Sequence, residues 1–353
     1  MKTRFLPTHI SLGLLLLLGG VSQLRAEITV RLSVKFIQNS DGTRPSGGAN
    51  GNIDISTTAG FDAEITRANQ ILAATGRAYQ LQVVEYLDIR PPAPADQTAD
   101  YWFNLPARAN RATIEAAALA DMATWAWNGT TLNMFVNNSR SGQCSFVGTG
   151  SSISFGGTVG AGTVLHETGH FFNLSHTHAG DYTNNTSTPP YTLADLKDGD
   201  RLDETAMDNP NITTKDQLSG ALFGRTYATA TAQQQAVVDS AFENVMSYHN
   251  ENVLLPVQMD IWTLNANGAR LFACSGRTWF VAVEGNDDNS GAAADSPLAT
   301  FPEALSKVTS PDGSRNDVIL LRAGTYITPL FNPIISTACT LSATRGAAVL
   351  TRP

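Results

Sequence analysis

Three histidines fall within one eleven-residue stretch, HETGHFFNLSH, at positions 166, 170 and 176. Residues four apart on a helix share a face, so His166 and His170 project side by side and offer two imidazoles to one cation. Glu167 lies one position on, at the flank of that pair, where a carboxylate can take a proton from water held by a metal. The HExxH spacing thus writes two ligands and a general base into a single helical turn. A catalytic zinc takes three protein ligands and keeps one position open, so a third ligand must arrive from elsewhere. His176 supplies it only if the helix stops after His170 and the chain turns back; a continuing helix would carry it about 600° round the axis. The residue at the required turn is Asn173, and asparagine ranks next to glycine in tolerating the left-handed conformation that such a reversal needs.

In these residues the chain resembles the metzincin metalloproteases, whose signature is HExxHxxGxxH followed later by a turn containing methionine. His166, Glu167, His170 and His176 match, with Asn173 standing where the family has glycine. The later segment ENVMSYH carries Met246 and Tyr248. Leu174 before the last histidine, the NVMSY form of the turn and the acidic stretch GDRLDET are most similar to the pappalysin-like (cytophagalysin-type) group. The resemblance covers about residues 27–265 and outside the motifs is architectural. It implies an α/β (α+β) zincin catalytic domain, Met246 as an apolar floor beneath the metal, and Tyr248 as a group that stabilises the transition state. It also implies calcium in acidic loops. Asp200 and Asp203, with Asp181, Asp198 and Asp208 nearby, fit that chemistry, because hard cations take clustered carboxylates; a plain solvated acidic loop fits the same residues.

The expected chemistry is peptide hydrolysis. Zinc acidifies water and polarises the scissile carbonyl, Glu167 takes the water's proton and returns it to the leaving amine, and Tyr248 faces the developing oxyanion. Outside the first 26 residues the histidines are His166, His170, His176, His178 and His249, all within the two motif segments. His178 and His249 read either as neighbours of the metal or as exposed residues, and Phe171 and Phe172 as core contacts of the histidine helix.

Other elements must hold this arrangement. Residues 27–37 alternate as a strand. FDAEITRANQILAATG spaces its apolar residues as a helix that Gly76 stops, and YQLQVVEYLDI reads as a second strand. A Pro-rich link at 91–94 leads to a helix within 110–126, then to a strand in TLNMFVNN. Residues 141–163 are dominated by Gly and Ser, and Val164 opens the histidine helix. A long loop spans 177–216, and helical pattern returns at 230–243. Alternating strands and helices predict a mixed α/β domain.

The remaining readings concern the ends, charge and cysteines. Residues 1–26 have the basic start, short apolar core and small-residue finish of a secretory signal peptide, so the mature chain is expected to be soluble and exported, with no membrane span. Removing Lys2, Arg4 and Arg25 takes the formal charge from −8 to −11, which disfavours nucleic acid as a partner. Cys144, Cys274 and Cys339 allow one disulfide, of unspecified pairing, and one free thiol. After a linker at 266–276, residues 277–353 resemble the opening coils of a pectate-lyase-like right-handed parallel β-helix, apparently truncated, with adhesion or glycan contact as its expected role; a small β-rich appendage packed on the catalytic domain is the alternative. The leading expectation is a secreted zinc endopeptidase acting on extracellular proteins. The competing one is a surface adhesin or glycan-binding protein with an inactive metzincin-like domain.

Overall fold

The computed structural model describes residues 28–46, 55–138, 142–144, 148–156, 163–179, 188–249, 252–308, 317–328 and 339–351. The expected signal peptide and Asp181 lie outside them. The strands are β1 (Ile28–Ile37), β2 (Tyr79–Ile89), β3 (Leu132–Asn137), β4 (Gly142–Cys144), β5 (Ser152–Gly156), β6 (Cys274–Ser275), β7 (Thr278–Val281), β8 (Asp317–Ile327) and β9 (Cys339–Thr351). The helices are α1 (Thr58–Ala74), α2 (Tyr101–Asn104), α3 (Ala107–Ala120), α4 (Thr163–Phe171), α5 (Lys215–Phe223), α6 (Ala232–Phe242), α7 (Pro256–Asn267) and α8 (Phe301–Lys307). No helix among the described residues is long and apolar enough to cross a membrane.

The first sheet has the order β2-β1-β3-β5-β4. β1, β2, β3 and β5 run parallel, while β4 lies antiparallel at the edge. Strand β1 explains why this sheet must be covered on both faces. Val30, Leu32, Val34 and Phe36 enter the main core with residues of α1, α4 and α7. The alternate positions Arg31, Ser33 and Lys35 are buried on the other side. α1 starts where the Thr57 hydroxyl accepts the Gly60 amide at 3.0 Å, and just beyond its end Gly76 takes φ +69°. Its face of Phe61, Ile65, Ala68 and Leu72 packs on the sheet.

Several expectations shift. The Gly/Ser-rich region contains β4 and β5; small side chains conceal a strand whose Ile153 and Phe155 are fully buried. α3 stops at Ala120, before the turn that places Trp125 against Trp102 and Phe135. α5 and α7 had no counterpart in the periodicity. α5 instead shows a capping box, Thr214 with Gln217, and a left-handed Gly224 after its end. The stretch 266–276, read as a linker, is built into the fold: Ala266 and Ala273 are in the main core, and Cys274–Ser275 pairs antiparallel with the start of β1. Cys274 and Cys339 form no disulfide with each other.

From residue 278 the described elements form a second, all-parallel sheet, β7-β8-β9, with α8 packed on it through Phe301 and Ala304. A single three-stranded sheet does not establish a solenoid of coils. It meets the first sheet through Val84, Phe280 and Leu320.

Candidate metal centre

α4 lies in the main core through Val164, Leu165 and Phe171, with Phe172 directly after it. It ends in a double hydrogen-bonded reversal. The Leu174 amide donates to the Gly169 carbonyl at 3.0 Å, and the Asn173 amide donates to the His170 carbonyl at 2.8 Å. Asn173 takes φ +71°. This is a Schellman cap with asparagine at the left-handed position, and it brings His176 back over the helix. His176 Nε2 lies 3.1 Å from His166 Nε2 and 2.9 Å from His170 Nε2.

The other ring nitrogens determine what these atoms can do. His166 Nδ1 is 2.6 Å from the Val245 carbonyl, and His170 Nδ1 is 2.7 Å from the Leu174 carbonyl. A carbonyl only accepts, so both Nδ1 atoms carry the proton and both Nε2 atoms present lone pairs. His176 has at most one Nε2 proton for the two of them. A cation satisfies all three, and the donor set suits zinc: a tetrahedron with 2.0–2.1 Å bonds has N···N edges of about 3.3 Å. Among the described residues these three histidines are the cluster able to hold a metal. Burial pushes the His166 imidazole down to about 4, against the Val245 hydrogen bond, which favours protonation. Burial, followed by the neighbouring His166, takes His170 down to about 3. Both are therefore neutral at physiological pH, the form that ligates.

Glu167 is buried on α4 beside the cluster. Tyr248 is half-buried, its ring centroid 5.8 Å from that of His166 and 4.8 Å from that of His176. Met246 is fully buried beneath the helix. Its sulfur would lie 2.5 Å from a Cβ placed on Gly169, so a glycine within HETGH lets the methionine turn approach. That turn is itself held by a reciprocal amide pair. Asn244 Oδ1 accepts from the Met246 amide at 2.9 Å and from Gln258 Nε2 at 3.0 Å, and Asn244 Nδ2 donates to Gln258 Oε1 at 3.1 Å.

The weaker candidates divide. His178 is buried, stacked on His176 at 4.9 Å and beside Tyr248 at 4.5 Å. His249 is also inside, against Phe242 at 4.5 Å and paired with Asp208; neither is the exposed residue that was the alternative. Asp208 leaves the acidic loop for that pairing. Asp200 is half-buried and Asp203 exposed. Burial raises the Asp200 carboxyl to about 6, and among the described residues no group of three ligands able to hold a metal includes Asp200 or Asp203. Calcium therefore gains no support here. Gly199 escaped notice as a single residue: a Cβ there would collide with the His178 carbonyl, so glycine lets this loop lie against the segment that carries His176. Gly169, Asn244 and Gln258 were likewise missed, and Asp208 was read only as one of the acidic-loop carboxylates, for their partners are remote in sequence.

No protein-family model matches the chain, and no curated protein matches it. Among solved structures the chain is similar to mature mirolysin of Tannerella forsythia in complex with a cleaved peptide. The TM-score is 0.38 and the identity 14%, covering 70% of this chain and 96% of that one. It is also similar to a chain of a chaperone–substrate complex, at TM-score 0.30 and 11% identity, covering 70% of this chain and 35% of that one. Likenesses this low carry no weight beside the geometry of the site.

Proposed function

We propose that the chain is a zinc-dependent endopeptidase of the metzincin type, pappalysin-like, exported through the signal read at 1–26 and acting on extracellular proteins. One observation carries the reading: three imidazole Nε2 atoms converge, two of them with Nδ1 committed to main-chain carbonyls. His166, His170 and His176 would hold the zinc, which when bound supplies a Lewis acid that polarises a carbonyl and acidifies water. Glu167 accepts the proton of the attacking water and delivers it to the departing amine. Tyr248 donates to the oxygen on which negative charge develops. Burial keeps the His166 and His170 imidazoles neutral and the Val245 and Leu174 carbonyls fix their tautomers, so little reorganisation remains for these two when the metal enters. The C-terminal sheet is assigned glycan contact.

The test compares wild type with Glu167→Gln, using metal analysis and casein or peptide-library digestion. Both proteins should contain about one zinc, and cleavage by the variant should fall by roughly 10²–10⁴, the usual contribution of a general base. Wild-type cleavage should disappear with 1,10-phenanthroline. Unaltered turnover in the variant would end the assignment, and zinc binding without any hydrolysis in wild type would favour the adhesin reading.

A further inference from the structure

Four chain segments meet behind the third histidine. The Thr177 amide donates to the Met246 carbonyl at 3.1 Å, and the Gly199 amide donates to the Thr177 carbonyl at 3.1 Å. Lys197 and Asp208 exchange main-chain hydrogen bonds at 2.9 and 3.0 Å. By main chain alone this is an open row running from the methionine turn through the 176–178 segment and the 197–199 segment to residue 208. The Asp208 carboxylate closes it. Its Oδ2 accepts from the Thr177 hydroxyl at 3.1 Å. Its Oδ1 and Oδ2 lie 3.0 and 3.1 Å from His249 Nε2, and since a carboxylate has no proton to give, the imidazole donates. Oδ1 also accepts the Asn209 amide at 2.7 Å.

Both groups are enclosed. Asp208 has no exposed surface, and Phe242 lies flat against the His249 ring, their planes 10° apart. A fully buried carboxylate is costly unless every oxygen is partnered, and a well-packed apolar pair of similar volume often gives equal or greater stability. Stability alone therefore does not call for this pair. What distinguishes it is position. Thr177 immediately follows His176, and His249 immediately follows Tyr248. One carboxylate thus grips the residue next to the third metal ligand and the residue next to the candidate oxyanion donor.

We infer that Asp208 is a positioning residue: through Thr177 and His249 it sets the separation of His176 from Tyr248 and holds His176 in place for the metal. The inference rests on the metallopeptidase reading proposed above. The Asp208 carboxylate bonds Thr177, Asn209 and His249 and is not a member of the histidine cluster; it acts on the two loops that carry His176 and Tyr248.

The experiment uses the full chain and the variants Asp208→Asn, Thr177→Val, His249→Ala and His249→Gln. Three quantities are read: zinc affinity by chelator competition, the visible absorption envelope of the cobalt(II)-substituted protein, and kcat and KM separately on a casein peptide. Asp208→Asn and Thr177→Val should weaken zinc binding by about 10–100-fold, as lost partners of a metal site commonly do. Both should alter the cobalt envelope and lower kcat with little change in KM. His249→Gln, which keeps a donor toward Asp208, should recover most of what His249→Ala loses. If Asp208→Asn does not fold, Thr177→Val, which removes one hydroxyl, supplies the decision. Variants with wild-type zinc affinity and an unchanged cobalt envelope would overturn the inference while leaving the metallopeptidase reading intact. A wild-type chain that takes up no metal would overturn both.

Discussion

At the scale of single residues, the centre is governed by which nitrogen holds a proton and which atom lacks room. The Val245 and Leu174 carbonyls fix the tautomers of His166 and His170 and leave both Nε2 atoms as acceptors. Gly169 shows the steric side. Alanine there should help an isolated helix by up to about 1 kcal/mol, yet its Cβ would sit 2.5 Å from Met246 Sδ and 3.4 Å from Leu174 Cδ1. Overpacking of this kind costs about 1–3 kcal/mol. Gly169→Ala is therefore expected to lose about 1–2 kcal/mol in urea unfolding of the metal-free protein and to bind zinc less tightly. A more stable variant with unchanged metal affinity would show that the helix and the methionine turn are not in contact.

At the scale of elements, the end of α4 and the far face of β1 each give a measurable expectation. Asn173 is exposed, so its contribution is almost wholly conformational. Asn173→Gly should leave stability within a few tenths of a kcal/mol, whereas Asn173→Val should lose about 1–2 kcal/mol, the cost of a left-handed backbone at a β-branched residue. Denaturant midpoints of the two variants would separate them, and equal values would refute the cap. On β1, the fully buried Lys35 amine reaches Ser33 Oγ at 2.6 Å and Asn133 Oδ1, while Ser33 Oγ donates to Glu85. Burial takes this lysine from 10.5 down to about 7, with Glu85 opposing the shift. Between these values the unfolded chain keeps a proton that the folded chain has released, so stability must rise with pH across that window. Wild type should gain stability from pH 7 to 9 relative to Lys35→Met, as read by urea midpoints at both pH values; parallel profiles would mean that the amine titrates at its ordinary pKa.

At the scale of the whole molecule, the metal is expected to join parts distant in sequence. α4 and the returning 174–178 segment carry the ligands. The methionine turn, 197–199 and Asp208 brace them, and α7 holds that turn through Gln258. A ligand that binds only the folded chain stabilises it by about 4 kcal/mol at a thousandfold excess over Kd, which for a domain of this size shifts Tm by on the order of 10 °C. Chelation of zinc should lower Tm by that order in scanning calorimetry, and readdition should restore it. An unchanged transition would show that the histidine cluster does not take up metal.

The histidine cluster was legible along the chain because its signal is local: His166, Glu167 and His170 share one helical turn, and Asn173 marks the reversal that returns His176. β1, α1 and β2 were legible as well, since their apolar periodicities are strong and Gly76 stops the helix. β4 and β5 were obscured by Gly and Ser, residue types with little strand preference of their own, and became strands only by pairing in the sheet. α7 and the stretch 266–276 gained their roles only on entering the main core and pairing with β1. Asp208 appeared in sequence as one carboxylate among several in an acidic loop. Tertiary structure alone decided that it faces Thr177 and His249, because hydrogen-bond partners 31 and 41 residues away are brought together by the path of the folded chain and leave no periodic signal.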